Sequence, residues 1–181
     1  PVPMVVTLHD LVPLTRRGEY LRSRVRFKLR YLAVQRAVRV IVPTRVVAED
    51  ANEALEIPPD RITVIPEAPA GALHRRSEEE VETVREKFGL PRRYLLWVGG
   101  MTTPDPRKRV AALARAKRTM PLVLVGPTAH WAGELRDVTL TGAVNDDELA
   151  AIYSGAHARV FPSDEEGFGL PPVEALACGT P

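Results

Sequence analysis

Short apolar runs alternate with amphipathic segments along most of the chain. The apolar runs have the length of strands and lie at residues 2–8, 38–42, 62–65, 94–98, 122–125, 138–141 and 158–161. Segments with helical spacing or helix end signals lie at 19–38, 45–55, 78–88, 107–116, 146–153 and after 171. Consecutive parallel strands need a crossover, and a helix usually supplies it. The pattern therefore predicts an α/β protein with parallel sheets covered on both faces.

The ends of several predicted helices carry local signals. Thr44 and Asn145 are suitable N-caps, and Ser77 with Glu80 has the spacing of a capping box. Gly89 follows the segment 78–88 and suits the left-handed residue that ends a helix. Between residues 66 and 77 the sequence is rich in Pro, Ala and Gly, so we predict an interdomain linker there. The chain would then contain two domains, residues 1–73 and 74–181.

The segment 162–181 combines a strand end, a glycine loop and a helix start. Gly167 and Gly169 let the backbone approach a ligand closely, and the prolines at 171 and 172 suit the first turn of a helix. Free amides and the positive end of a helix favour an anion at such a place. We therefore expect a phosphate cradle whose backbone comes from Gly167, Phe168, Gly169 and Leu170.

Two carboxylates flank this loop. Glu166 precedes it and Glu174 follows in the expected first helical turn, with seven residues between them. Each ionised carboxylate can accept hydrogen bonds from hydroxyls, so the pair suits a sugar and a ribose on the two sides of a diphosphate. Taken singly, Glu174 also fits a residue that complements the helix dipole, and Glu166 a solvated loop acid.

The same stretch resembles the Glu-x7-Glu signature of retaining glycosyltransferases of the GT-B fold, the group 1, mannosyltransferase-like family. The resemblance includes Glu-Gly-Phe-Gly-Leu-Pro and Glu-Ala-Leu-Ala-Cys-Gly-Thr-Pro. It implies two Rossmann-like parallel-sheet domains facing a cleft, with Glu166 on the donor sugar and Glu174 on the ribose. Residues 1–73 would be the C-terminal part of the acceptor-side domain, and 74–181 a donor-binding domain truncated at its C-terminal end. We therefore expect both domains to be incomplete and these 181 residues to turn over little or nothing alone.

A second segment resembles the first loop of the family's donor domain. Val-Gly-Gly precedes Pro-Arg-Lys, and the match implies that Lys108 binds the donor diphosphate beside Gly99 and Gly100. Many relatives carry an arginine where this chain has Gly100, so Arg107 is a candidate substitute. In isolation, basic residues at a helix start also fit a solvated cluster. The resemblance further implies that the backbone from Gly142 to Val144 lies near the nucleotide base.

The run that ends in His9-Asp10 resembles a late strand of the acceptor-side domain. In an open α/β sheet, ligand contacts lie at the carboxyl ends of strands. The resemblance implies that His9 reaches the donor sugar and diphosphate. His9 and Asp10 equally fit a turn that caps the strand end.

Residues 19–38 predict a helix with a basic face. Arg22, Arg26 and Arg30 recur at helical spacing, and Arg24 and Lys28 widen the stripe. The stripe fits a solvated face, or peripheral contact with an anionic membrane or a lipid-linked acceptor. Aromatic residues are interleaved with the basic ones, but no nucleic-acid-binding motif is present, so we do not expect nucleic acid as a partner.

The amino-acid composition indicates the class of protein and its cellular compartment. Hydrophobic residues make up 45% of the chain and charged residues 27%, which is ordinary for a globular protein. No apolar run reaches the length of a membrane span. The single cysteine, Cys178, excludes an internal disulfide and suits a reducing compartment. We predict a cytoplasmic protein, at most peripheral at the inner face of the membrane.

The expected function is hexose transfer. A mannose, glucose or rhamnose type of sugar would pass from a nucleoside diphosphate sugar to an acceptor hydroxyl with retention, in polysaccharide, lipopolysaccharide or glycolipid synthesis. Lys108, the amides of the glycine loop and the helix dipole would stabilise the leaving phosphate, so we expect neither a metal nor a cofactor besides the donor substrate.

Three alternatives remain open from the residues. Asp164, Glu165 and Glu166 could hold Mg²⁺, although adjacent acids on an extended segment point to alternate sides. A sugar-nucleotide epimerase would use the same fold. A non-catalytic binding module would use the basic face of residues 19–38.

Overall fold

The computed structural model describes residues 2–12 and 31–181. Their strands are β1 Val5–Thr7, β2 Arg39–Val42, β3 Ile62–Val64, β4 Leu95–Val98, β5 Leu122–Val125, β6 Val138–Gly142 and β7 Ala158–Arg159. We label six helices, which are α1 Arg45–Leu55, α2 Glu78–Phe88, α3 Val110–Arg115, α4 His130–Gly133, α5 Asp146–Gly155 and α6 Leu170–Ala177. Short 3-10 turns occupy Pro59–Arg61 and Pro106–Lys108.

The described residues fall into two compact units. Unit 1 takes those within Pro1–Glu67 together with the short segment Glu165–Gly169. Unit 2 takes Ala68–Asp164 and Leu170–Pro181. The chain leaves unit 2 after Asp164 and re-enters it at Leu170, so the glycine loop lies in unit 1 and α6 lies in unit 2.

Unit 1 is built on a parallel sheet in the order β1-β2-β3. Val5 is paired with Arg39, and Val40 with Ile62. Helix α1 begins at Thr44, whose hydroxyl accepts from the Val47 amide as predicted for an N-cap. The apolar face of α1 packs against β2, and the buried side chains there are Val40, Val42, Val47, Ala51 and Leu55.

Unit 2 is built on a four-stranded parallel sheet in the order β6-β5-β4-β7. All residues of β5 are buried, and its side chains alternate between the two faces. Val123 and Val125 pack with residues of α5 and α6, whereas Leu122 and Leu124 pack with Trp97 and residues of α3 and α4. Cys178 is buried near the end of α6. The predicted α/β architecture with covered parallel sheets is confirmed.

Local signals fixed helix ends more accurately than strand ends. The predicted capping box of Ser77 with Glu80 starts α2. The predicted N-cap Asn145 starts α5, where it forms a second capping box with Glu148. Gly89 ends α2 in the left-handed region. Most observed strands are shorter than the apolar runs that predicted them, because the flanking apolar residues continue into loops. The exceptions are the strands predicted at 122–125 and 138–141.

Two predicted helices differ from the structure. The helix expected over 107–116 begins only at Val110, because Asp105 caps a 3-10 turn through the Arg107 amide and Arg109 adopts a left-handed φ of 49°. Most of the helix expected over 19–38 lies outside the described residues; within them, 31–36 are helical and Val38 is not. Among the described helices, none has the length and apolar character that a membrane crossing requires.

Candidate functional site

Gly167 is packed tightly against the first strand region of unit 1. A Cβ atom on Gly167 would lie 2.0 Å from the carbonyl oxygen of His9 and 3.1 Å from the Cβ of Asp10. The hydroxyl of Thr44 donates to the Gly167 carbonyl at 3.1 Å. The glycine at this position therefore lets two backbone segments of unit 1 meet, whereas the sequence pattern indicated only close approach of a ligand.

His9 is oriented by an acid from the end of unit 1. Its Nδ1 lies 2.5 Å from Oε1 of Glu67, and 69% of the His9 side chain is exposed. Asp10 accepts from the Val12 amide at 3.2 Å, as a turn-capping aspartate does. The contact leaves Nε2 of His9 available to a ligand. Sequence reasoning missed Glu67, although an acid shortly after the apolar run 62–65 was a usable signal.

The segment Glu165–Gly169 lies in an acidic part of unit 1. Glu165 and Glu166 are half-buried. Burial raises the pKa of Asp50, and repulsion from Glu165, Glu53 and Glu49 raises it further. Negative charge at this segment comes from α1 as well as from the loop itself.

In unit 2 the predicted site residues lie at one edge of the sheet. Because β4 to β7 are parallel, their carboxyl ends meet at the same edge. Gly99 and Gly100 follow β4 directly, and Gly142 ends β6, with Val144 two residues further on. The structure thus brings these four residues to the edge where open α/β sheets bind ligands, and their contact with the donor stays a prediction.

The loops after β4 and β7 are tied together at that edge. The Asp164 amide donates to the Arg107 carbonyl at 3.1 Å, and the Asp164 carboxylate pairs with Nε of Arg109 at 2.6 Å. Arg107 pairs with Asp105 at 3.3 Å. Lys108 lies between these two arginines and is half-buried. Within residues 2–12 and 31–181, no ion pair or hydrogen bond of its ammonium group is found.

The loop after β5 comes close to the loop after β4. A Cβ atom on Gly126, whose φ is 135°, would lie 2.2 Å from the Gly99 carbonyl oxygen. A Cβ atom on Gly99 would in turn meet the Trp97 ring at 2.7 Å. Gly99 is therefore required by packing within unit 2. Around Gly100 no atom lies within 4 Å of such a Cβ, so a ligand has room there.

Glu174 lies in the second turn of α6, and its predicted place in the first turn is wrong. Helix α6 begins at Leu170, one residue earlier than expected, and no acid occupies its first turn. The Glu174 carboxylate instead accepts from the Tyr153 hydroxyl at 2.9 Å. Tyr153 is fully buried, and sequence reasoning missed it because only the packing of α5 on α6 reveals the contact.

The acids suggested for Mg²⁺ are arranged differently from the sequence pattern. Asp164 pairs with Arg109 in unit 2, whereas Glu165 and Glu166 belong to unit 1. In the part of the chain that the structure describes, no three His, Cys, Asp or Glu side chains form a group that could hold a metal ion.

Comparisons with known proteins match both parts of the chain. The family model "Glycosyltransferase Family 4" matches residues 1–68, and "Glycosyl transferases group 1" matches residues 92–181. The Escherichia coli serotype-specific mannosyltransferase WbdA is 30% identical over 99% of this chain and 25% of its own length. The Escherichia coli O-antigen chain mannosyltransferase B is 27% identical over 98% of this chain and 51% of its own length.

Solved structures show the same fold. Sucrose-phosphate synthase from Thermosynechococcus elongatus has a TM-score of 0.72 at 26% identity over 98% of this chain and 48% of its own. Anabaena HepE in complex with UDP and glucose has a TM-score of 0.72 at 23% identity over 99% of this chain and 52% of its own. The chain thus spans between a quarter and about a half of the length of these relatives. By its fold and by the models that match both of its parts, the chain belongs to the GT-B glycosyltransferases of family 4 and group 1.

Proposed function

We propose that this protein is a hexosyltransferase that uses a nucleoside diphosphate sugar as donor. The named activities of its relatives support hexose transfer, since WbdA and mannosyltransferase B are mannosyltransferases. HepE, a protein of the same fold, was crystallised with UDP and glucose. The transferred hexose is of the mannose, glucose or rhamnose type, and its anomeric configuration is retained.

The half-buried Lys108 at the carboxyl edge of the unit 2 sheet is the observation that carries this proposal. The arginines on either side of it pair with Asp105 and Asp164. No partner of the Lys108 ammonium is found within the described residues. A cation held in this way can bind the donor diphosphate and stabilise the charge that develops on the leaving phosphate. One such interaction is worth about 3 kcal/mol of activation free energy.

The other residues take roles that follow from the resemblance. Glu174 accepts from the ribose, the backbone of Gly99 and Gly100 lies beside the diphosphate, and Gly142 to Val144 lies by the base. His9, Glu166 and the amides of 167–170 act on the sugar and diphosphate. Arg107 contributes less than Lys108, because it pairs with Asp105. The leaving phosphate accepts the acceptor proton, and no divalent metal takes part.

The same relatives support a proposal for the acceptor and the cellular setting. Mannosyltransferase B is an O-antigen chain enzyme, and WaaG, another protein with this fold, is involved in lipopolysaccharide biosynthesis. The acceptor is accordingly a carbohydrate or a lipid-linked sugar in polysaccharide, lipopolysaccharide or glycolipid synthesis. The protein acts in the cytoplasm, with peripheral contact to the inner membrane face through the basic residues of 19–38.

A thermal-shift panel tests the donor class. UDP, GDP, UDP-glucose and GDP-mannose are added to the wild type, to Lys108→Gln and to Lys117→Gln, an exposed lysine beyond α3. We expect at least one nucleotide sugar to raise the melting temperature, since a ligand that binds the folded state stabilises it. Lys108→Gln should weaken that ligand about tenfold or more, and Lys117→Gln should not. No shift with any compound, or equal shifts in both variants, would refute the proposal.

Product analysis separates transfer from epimerisation. The protein is incubated with the nucleotide sugar that binds, in the absence of an acceptor. A transferase leaves the sugar of the donor unchanged, whereas an epimerase converts it to a mixture of epimers.

A further inference from the structure

Tyr153 is held at both ends in the core of unit 2. Its hydroxyl donates to Oε2 of Glu174 at 2.9 Å. Its backbone carbonyl accepts from the Thr180 hydroxyl at 2.5 Å and from the Ala156 amide at 3.0 Å. The bonds with Glu174 and Thr180 join the end of α5 to the middle of α6 and to the segment that follows α6. The ring therefore has little freedom to move relative to Glu174.

The Tyr153 hydroxyl stays a donor under all ordinary conditions. Burial raises the pKa of Tyr153 far above its usual value, and the neighbouring Glu174 carboxylate raises it further. The Arg159 guanidinium opposes this shift but does not cancel it. The hydroxyl therefore keeps the proton that it donates to Glu174, and this bond occupies one of the two carboxylate oxygens.

The remaining oxygen of Glu174 can accept from a ligand. An ionised carboxylate has no proton to donate, so a ligand group that binds it must be a hydrogen-bond donor, such as a hydroxyl. Glu174 is half-buried on α6, and the tyrosine fixes the rotation of its carboxylate. A fixed acceptor discriminates more strongly than a mobile one, because a ligand without the matching hydroxyl leaves it unpaired.

We propose that Tyr153 is a positioning residue that sets the Glu174 carboxylate to accept from the ribose hydroxyls of the donor nucleotide. This inference rests on the proposed function. Tyr153 itself touches no substrate. Its effect is to make the site prefer ribonucleotides over nucleotides that lack the 2′ and 3′ hydroxyls.

The chain offers a matched control for this role. Tyr94 is also buried in the same apolar cluster, and its hydroxyl donates to the Ile152 carbonyl at 2.7 Å. Tyr94→Phe and Tyr153→Phe each remove one buried tyrosine hydroxyl and keep the ring. Only the Tyr153 substitution releases the Glu174 carboxylate.

Titration calorimetry with UDP, GDP and their 2′,3′-dideoxy forms tests the proposal on wild type and both variants. We expect the wild type to prefer the ribose form of the nucleotide that it binds by about tenfold or more. Tyr153→Phe should lose most of this preference, while Tyr94→Phe should keep it and lower the melting temperature by a similar amount. Retention of the preference in Tyr153→Phe would overturn the proposal.

A crystal structure of the wild type with the same nucleotide gives a second readout that needs no variant. The Glu174 carboxylate should hold the ribose with one oxygen while the other stays on Tyr153. A carboxylate turned away from Tyr153 would contradict the positioning role. If a nucleotide binds but shows no ribose preference, this inference alone fails; if no nucleotide binds, the proposed function fails with it.

Discussion

Gly167 is a position at which a single added methyl group should destabilise the fold. Its missing side chain lets the loop backbone lie against the His9 carbonyl, and Thr44 holds the loop there by a hydrogen bond. A methyl group would fall 2.0 Å from a backbone oxygen, which cannot rotate away as a side chain can. The local structure would have to shift.

We predict that Gly167→Ala destabilises the protein by about 1–3 kcal/mol, the usual range for overpacking. Gly100→Ala is the control, because no atom lies within 4 Å of the added methyl group. That change should stay within about 0.5 kcal/mol. Urea unfolding of both variants measures the difference, and equal effects would show that the contact between Gly167 and His9 is absent in solution.

Some residues of the candidate site could be identified from the sequence, and others could not. Residue types at characteristic spacing identified Lys108, Glu166 and Glu174 as candidates. Tyr153, which contacts Glu174, and Glu67, which contacts His9, were not identified, because each contact joins elements far apart in the chain. The pairing of Arg109 with Asp164 likewise depends on two loops meeting at one sheet edge.

At the scale of elements, the capping boxes of α2 and α5 are stabilised by charge. The pKa of Glu80 is lowered by its hydrogen bonds to Ser77, with a smaller effect of Arg76. The pKa of Glu148 is lowered by Lys87 and by the Asn145 amide. A carboxyl with a lowered pKa in the folded state contributes stability above its ordinary pKa and loses it as the pH falls.

We expect Glu80→Ala to lower the melting temperature at pH 7 because the helix loses its reciprocal cap. The difference from the wild type should shrink as the pH falls below 4.5, the ordinary value of this carboxyl, since the wild-type Glu80 then becomes protonated as well. Glu79→Ala, which changes the neighbouring exposed residue of the same turn, serves as control. A difference that does not depend on pH would contradict the charge-based account.

Elements were predictable where their signals are local. The N-caps Thr44, Ser77 and Asn145 begin helices as expected, because capping involves residues within one turn. The predicted start of α3 was wrong because Asp105 accepts a hydrogen bond from the Arg107 amide and so caps a separate 3-10 turn. Helical spacing alone does not reveal this turn. The prediction that Glu174 lies in the first turn of α6 was wrong because this helix begins one residue earlier than expected.

For the whole molecule, the sequence predicted both the parallel arrangement of the strands and the protein family. Alternating strands and helices predicted the sheets, and the motif at 162–181 predicted the glycosyltransferase family. The grouping of Glu165–Gly169 with unit 1 was not predictable, since the five residues lie between segments of unit 2. It depends on the close packing of Gly167 on His9 and Thr44.

We expect a donor diphosphate to bind beside Lys108 at the carboxyl edge of the unit 2 sheet. Crystal structures of the protein with UDP-glucose and, separately, with GDP-mannose test it most directly. We predict that one of them shows diphosphate oxygens within hydrogen-bonding distance of the Lys108 ammonium. A diphosphate bound elsewhere, such as the groove between Arg75, Arg92 and Arg93 next to α2, or no bound nucleotide in either crystal, would contradict the account.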